Sequence, residues 1–172
     1  LHFILGEWPL KITCKAKAYR REKLEEMAYL VAEFSNNVMA HVPDIKDFAL
    51  GLKELVSQEG VITIENPSLV NLISNVQFDT IYHEHYSYLS LFSVSKLFES
   101  IDMQVFDVEE LKTHGGSLRY WVSHKNMKKV SSRYVSSLEK EINYGIKSDN
   151  LAMEFESKVR TCLMQFSEWL DD

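Results

Sequence analysis

The spacing of apolar residues changes from helical to extended between residues 43 and 67, and this change most constrains the fold. In PDIKDFALGLKELVSQEG the apolar residues recur at helical spacing, and Pro43 suits the first turn of a helix, where its missing N–H is tolerated. Gly60 is expected to end this helix. The β-branched run VITIENP then predicts a short strand that Pro67 stops. An amphipathic helix followed by such a strand is typical of α/β folds.

The same alternation continues on both sides of this unit. An apolar run predicts a strand before it, SVSKLFESID predicts a helix after it, and MQVFDVEEL and SLRYWVSH predict two strands joined by the turn KTHGG. Alternating strands and helices favour a parallel sheet covered by helices, and the final strand pair should be antiparallel. The expected sheet has about four strands, at Tyr29–Phe34, Val61–Glu65, Met103–Glu109 and Ser117–Ser123. The long helix Leu151–Leu170 is expected to be a packing element, because its apolar stripe has core spacing.

Composition excludes several classes of function. The chain has 172 residues and 45% hydrophobic content, which allows one domain with a real core. Residues 36–118 carry four Lys and twelve Asp or Glu, and such an acidic centre argues against nucleic acid as a partner. No apolar run approaches the roughly 18 residues of a membrane span. Cys14 and Cys162 form no disulfide or metal pattern, so a reducing, cytoplasmic location is expected.

The stretch IYHEHYSYLS concentrates histidine and tyrosine within residues 81–90. A metal site, a proton-transfer site and a packed aromatic cluster are all compatible with it. Alternation in an extended loop would place His83 and His85 on one side, opposite Tyr82, Glu84 and Tyr86. No second pair of ligands stands at metal spacing, so we expect no metal site.

Candidate side chains also follow the predicted strands. Asn36, Asn37 and His41 come after the first strand, and ENPS ends the second. In parallel sheets ligands bind outside the carboxyl ends of the strands, so these segments should gather with IYHEHY on one edge. Asparagines are also ordinary turn residues, and His41 is equally compatible with a helix cap. The pattern alone leaves both interpretations open.

Four successive motifs resemble one protein family. NNVMAHVPDIKDF, GVITIENP, QFDTIYHEHYSYLSL and VFDVEELKTHGGSLR are similar, in this order, to motifs of the S-adenosylmethionine-dependent sugar C-methyltransferases. The resemblance covers roughly Asn36 to Val122, with a weaker helical continuation to about Trp169. It implies methylation of a carbon next to a ketone in a nucleotide-linked keto-deoxysugar, with S-adenosylmethionine as cofactor.

The resemblance also implies roles for individual residues. Removing the proton beside a ketone needs a base, and imidazole suits this because its unperturbed pKa is about 6.5. His85 is the implied base, with Tyr82 and Glu84 nearby and His41 across the pocket. A phenol or a second imidazole can stabilise the enolate oxygen.

The resemblance also implies contacts to the cofactor and to the substrate. Asn36 and Asn37 are the expected contacts to the methionine part of the cofactor. The two glycines of THGGSLR are explained equally well by a hairpin turn and by close approach to a ligand. If functional, His114, Ser117 and Arg119 contact the sugar or its diphosphate, with Arg119 binding phosphate in bidentate fashion.

The chain also departs from the family pattern. It has no glycine-rich cofactor loop, amino-terminal zinc-binding cysteines or second α/β lobe, and Lys112 stands where the family usually has proline. We therefore expect the second half of a class I (Rossmann-like) methyltransferase sheet, with an unpaired edge on the strand Tyr29–Phe34. The predicted regions are a helical lead-in at 1–28, a partial methyltransferase domain at 29–124 and a helical extension at 125–172.

Two functions are compatible with these features. The first is a C-methyltransferase, or a fragment of one, whose absent half is a separate chain. The second is a non-catalytic remnant or partner subunit that lacks the cofactor-binding half. In either case the isolated chain is expected to bind S-adenosylmethionine weakly or not at all.

Overall fold

A computed structural model describes residues 37–171, which contain a three-stranded sheet and several helices. In chain order the elements are α1 Ile45–Leu55, β1 Ile62–Pro67, α2 Leu69–Ser74, α3 Leu91–Glu99, β2 Met103–Leu111, β3 Ser117–His124, α4 Ser132–Tyr144 and α5 Asn150–Asp171. Single 3-10 turns lie at Met39–His41, Phe78–Thr80 and Thr113–Gly115. No helix in this part of the chain is long and apolar enough to cross a membrane.

The last strand occupies the middle of the described sheet. The strand order is β1-β3-β2, and β3 pairs antiparallel with both neighbours. The prediction that the final strand is antiparallel is therefore confirmed. The expected parallel pairing is absent between the described strands, because β3 lies between β1 and β2 and separates them. The predicted strand Tyr29–Phe34 lies outside the described residues.

The hairpin between β2 and β3 needs both of its glycines. Gly115 and Gly116 have φ of 74° and 112°, a region that glycine adopts without steric cost. A Cβ on Gly115 would collide with the side chain of Gln77, and one on Gly116 would collide with Asn71. Gln77 Nε2 also donates to the Gly115 carbonyl at 3.0 Å. Turn geometry and packing together explain this glycine pair.

The core forms where α3 packs against the sheet. Leu91, Val94 and Phe98 of α3 are completely buried, as are Val108 on β2 and Tyr120 on β3. Two hydrogen bonds fix the start of α3: the backbone N–H groups of Leu91 and Phe92 donate to the Glu141 carboxylate at 2.8 and 2.9 Å. Burial raises the pKa of Glu141, although these two bonds partly oppose the shift. Glu141 belongs to α4, so this carboxylate joins two helices.

Helix boundaries differ from the predictions in several places. α1 begins after its N-cap Asp44, so Pro43 precedes the helix and does not lie in its first turn. α1 ends at Leu55, earlier than Gly60, because Val56 is extended and the Gly60 N–H closes a turn on the Ser57 carbonyl at 2.9 Å. The helical region after Asn126 is divided at Gly145, whose left-handed φ of 97° ends α4. α4 packs against β2 and α3, and the Tyr134 hydroxyl donates to Ser95 Oγ at 3.0 Å.

The expectation that the last helix packs into the core is wrong for the described structure. α5 has no buried residue, and Leu163, Phe166 and Trp169 are all exposed. Phe166 and Trp169 stack on each other with ring centroids 5.9 Å apart. The apolar stripe is present, but no described element covers it.

A charged cluster ties α4 to β2. The Asp107 carboxylate accepts hydrogen bonds from Arg133 and, at 2.6 Å, from the Ser131 hydroxyl. The bond from Arg133 is the main cause that lowers the pKa of Asp107 below its usual 3.8. A carboxylate with a depressed folded-state pKa stabilises the fold above the unfolded value, and this contribution is lost as the pH falls through the folded value.

We therefore expect Asp107→Asn to lower the free energy of unfolding by roughly 1 kcal/mol at neutral pH. The difference from the wild type should shrink as the pH falls below 3.8. Thermal unfolding measured across the acid range would check this. Glu110→Gln is a matched control, because Glu110 is also on β2 and contacts Lys140 of α4 at 3.5 Å, but both side chains are exposed. Equal losses in the two variants, or a constant difference at all pH values, would contradict the prediction.

Candidate functional site

A cleft of about 200 Å³ opens beside the end of β1. Its lining brings together polar and aromatic residues from distant parts of the chain, among them Asn37, His41, Asn66, Tyr82, His85, Tyr88 and His114. No Lys, Arg, Asp or Glu of the described residues lines it. The cleft is therefore a neutral site rich in hydrogen-bonding groups, as a ligand pocket requires.

His85 is held in a defined tautomer. Its Nδ1 lies 2.8 Å from the carbonyl oxygen of Thr80, at the end of the 3-10 turn Phe78–Thr80. A carbonyl oxygen only accepts hydrogen bonds, so Nδ1 carries the proton and donates it. Nε2 of the neutral ring then keeps its lone pair, and it is the atom free to act as a base.

His41 is oriented in the same way. Its Nδ1 donates to the carbonyl oxygen of Glu84 at 2.9 Å, and its ring centroid lies 4.7 Å from that of His85. The backbone N–H groups of Tyr86 and Ser87 donate to the Ala40 carbonyl at 2.9 and 3.2 Å. These bonds fix the histidine-rich loop to the turn Met39–His41, so the predicted meeting of His41 with His85 is observed.

Two tyrosines complete the aromatic surroundings of His85. The ring centroids of Tyr82 and Tyr88 lie 4.3 and 5.8 Å from its own. Tyr82 and His85 share the cleft because the chain turns between them, with the His85 N–H donating to the Tyr82 carbonyl at 3.1 Å. The expected alternation is therefore wrong: His83 and Glu84 are exposed and do not line the cleft. The Glu84 backbone carbonyl accepts from His41 Nδ1, and Glu84 is not among the residues that line the cleft.

His114 and Asn37 face each other across the cleft. The Asn37 Nδ2 and His114 Nδ1 atoms are 3.5 Å apart. Both residues have positive φ, 61° and 51°, which is uncommon for residues other than glycine. Unusual backbone conformations of this kind cluster at functional sites. Asn36, the other predicted cofactor contact, lies outside the described residues.

The remaining predicted substrate contacts lie away from the cleft lining. Ser117 is buried, and its hydroxyl donates to the Thr113 carbonyl at 3.1 Å. Arg119 forms ion pairs with Glu65 at 3.1 Å and with Glu109 at 3.2 Å. Glu65 also accepts from the Thr113 hydroxyl at 2.9 Å. These groups fasten the hairpin to β1.

One residue of the site was missed by the sequence analysis. Asn66 lines the cleft and is fully buried, yet neither atom of its side-chain amide has a hydrogen-bond partner among the described residues. The Asn37 Oδ1 is also buried without a partner. The sequence did contain a signal, because Asn66 lies in ENPS, at the carboxyl end of a predicted strand where ligands bind.

The described residues contain no cluster of three or more His, Cys, Asp or Glu side chains able to hold a metal ion. His41 and His85 both use Nδ1 for a hydrogen bond to a backbone carbonyl.

Comparison with known proteins finds similarity to C-methyltransferases over part of the chain. Residues 112–172 match the family model of the C-methyltransferase C-terminal domain. The chain is also 45% identical over 85 residues to the C-methyltransferase NovU of Streptomyces niveus, a stretch that covers 49% of this chain and 20% of that relative. The chain spans about a fifth of the length of NovU.

Proposed function

We propose that this chain forms part of an S-adenosylmethionine-dependent C-methyltransferase that methylates a carbon next to a ketone in a nucleotide-linked sugar. The observation that carries the proposal is the bond from His85 Nδ1 to the Thr80 carbonyl, because it leaves Nε2 as a base in the cleft. The family match supports C-methylation as the reaction class.

The chemistry follows from the side chains around that base. His85 Nε2 removes the proton from the carbon beside the ketone, and the electron pair of the broken C–H bond forms an enolate. In this proposal the Tyr82 hydroxyl or the His41 imidazole donates to the enolate oxygen, and both residues line the same cleft as His85. S-adenosylmethionine, when bound, would supply an electrophilic methyl group: its transfer to the enolate carbon would break the methyl–sulfur bond, release the neutral thioether and restore the ketone. The removed proton remains on His85 until it passes to solvent.

We assign Asn37, together with Asn36, to the methionine part of the cofactor. The support is the buried Asn37 Oδ1, an acceptor without a partner among the described residues, which suits an ammonium or amide donor. The sheet adds support for the fold behind this assignment, since its antiparallel last strand agrees with the second half of a Rossmann-like methyltransferase. Such an enzyme belongs in the cytoplasm, where the exposed thiol of Cys162 stays reduced.

The neutral lining of the cleft supports a sugar ring as its occupant. Phosphate groups bind best to Arg, Lys or helix N-termini, and no cationic side chain lines the cleft. We therefore place the ring beside His85 and His114, with the diphosphate outside. Arg119 binds phosphate in this arrangement only by leaving Glu65 and Glu109.

A chimeric enzyme tests the proposal. The segment of NovU that aligns with this chain would be replaced by the chain's own residues, and methyl transfer from radiolabelled S-adenosylmethionine would be measured with the keto-sugar that NovU accepts. We expect transfer to be retained. Proton–deuterium exchange at the acceptor carbon should occur even without cofactor, because it needs only the base.

A chimera that folds but neither transfers methyl groups nor exchanges protons would instead favour a non-catalytic partner subunit. The isolated chain is expected to bind S-adenosylmethionine weakly or not at all. Calorimetry that gives low-micromolar affinity for the isolated chain would contradict this expectation.

A further inference from the structure

We propose that Asn66 is a specificity-determining residue, which hydrogen-bonds neighbouring neutral oxygen groups of the acceptor sugar ring through both atoms of its side-chain amide. The inference rests on the proposed function, because the sugar ring is the occupant of the cleft. It adds a residue for which neither the motifs nor the comparisons give a role.

Without a ligand, the side-chain amide of Asn66 is in an unfavourable environment. Asn66 is fully buried and its Nδ2 and Oδ1 both lack partners among the described residues. Buried polar groups in folded proteins are almost always hydrogen-bonded, and an unpaired one is destabilising. Asn66 is one of the residues that line the cleft, and we infer that an occupant of the cleft supplies the absent partners.

The backbone of Asn66 is held in place by its neighbours on β1 and β3. It lies on β1 opposite Leu118 of β3, between Glu65 and Pro67. Glu65 is itself buried and held by Arg119 and Thr113. The backbone of Asn66 is therefore fixed on both sides, and its amide is presented to the cleft by a rigid element.

The chemistry of the Asn66 side chain favours a neutral ligand with several oxygen atoms. A side-chain amide offers two donors and one acceptor without charge. Such a set matches a ring with adjacent hydroxyl or carbonyl oxygens better than it matches a phosphate, which lacks donors when ionised. A site that hydrogen-bonds a hydroxyl discriminates strongly against analogues without it.

The test couples Asn66 to individual hydroxyl groups of a probe. Methyl glycosides and a series of deoxy analogues, each lacking one hydroxyl, would be titrated into the 172-residue chain and followed by saturation-transfer NMR. For one hydroxyl position we expect deletion to weaken binding about tenfold in the wild type. The same deletion should have little effect in Asn66→Ala, because the partner is already absent. Asn75→Ala, an exposed asparagine at the end of α2, should behave as the wild type does.

A stability measurement keeps the test independent of activity. Asn66→Leu removes the unpaired amide, so the ligand-free variant should melt about 2–5 °C above the wild type while losing glycoside binding. A lower melting temperature with unchanged binding would overturn the inference, since the amide would then be bonded within the protein or to a buried water. Equal sensitivity of wild type and Asn66→Ala to every deoxy analogue would overturn it as well. If the NovU chimera fails to transfer methyl groups while Asn66 still couples to a hydroxyl, the sugar site stands and the proposed reaction does not.

Discussion

Replacing His85 by asparagine in the NovU chimera should lower turnover by about a hundredfold or more, the usual scale for losing a general base. Asparagine keeps a donor near the Thr80 carbonyl but has no basic nitrogen to place in the cleft. Affinity for the nucleotide-sugar should stay nearly unchanged, because the lost interaction acts mainly in the transition state. Steady-state kinetics and calorimetry on the same preparations would separate the two effects.

His83→Asn is the matched control for this prediction. His83 is two residues away, is exposed and does not line the cleft, so its replacement should leave turnover near that of the parent chimera. Cofactor-free deuterium exchange identifies the base directly. If the His85 variant exchanges at the parental rate, His85 is not the base, and His41 or Tyr82 becomes the next candidate.

The second large effect should fall on stability. Glu141→Ala removes the acceptor of two backbone N–H groups at the start of α3, of which the Leu91 N–H is buried in the core. Buried donors left unpaired are costly, so the free energy of unfolding should fall by about 2–4 kcal/mol. The melting temperature should drop by roughly 5–15 °C. Urea and thermal unfolding would measure both quantities.

Glu139→Ala provides the comparison, because Glu139 is exposed on the same helix and loses a similar number of atoms. Its effect should be within about 0.5 kcal/mol of zero. A Glu141 variant as stable as the Glu139 variant would show that burial of the carboxylate costs as much as its two hydrogen bonds contribute. The raised pKa of Glu141 indicates that burying its carboxylate is unfavourable. We therefore expect the loss of stability to be smaller than the sum of two hydrogen bonds to a charged group.

Local patterns predicted the elements better than their arrangement. The strands Met103–Leu111 and Ser117–His124 follow from alternation and from the glycine pair between them. The position of β3 between β1 and β2 does not follow, because it depends on which edges pair across long stretches of sequence. The exposure of α5 was equally inaccessible, since an apolar stripe shows that a surface is suited to burial and does not show what buries it.

The location of the site could be predicted from the sequence, whereas its individual contacts could be predicted less well. The ends of the predicted strands were expected to bring His41, His85 and the ENPS segment together, and the cleft lining includes both histidines and residues of that segment. The turn between Tyr82 and His85 brings both residues into the cleft, although alternation had predicted them on opposite sides of the loop. Arg119, a predicted phosphate contact, already forms ion pairs with two carboxylates. Asn66 was missed because an unpaired amide is visible only when its surroundings are known.

The central position of β3 has a consequence for how the protein is made. Every described pair of strands includes β3, with Ile62 opposite Val122 and Met103 opposite His124. A ribosome exposes β1 long before β3 leaves its tunnel, so the described part of the sheet cannot assemble while synthesis is in progress up to that point. Folding that depends on such distant partners is slow and leaves apolar strands open to association. A nascent chain stalled before β3 has left the tunnel should therefore need a chaperone that holds extended apolar segments, whereas one stalled after β3 has left it should not.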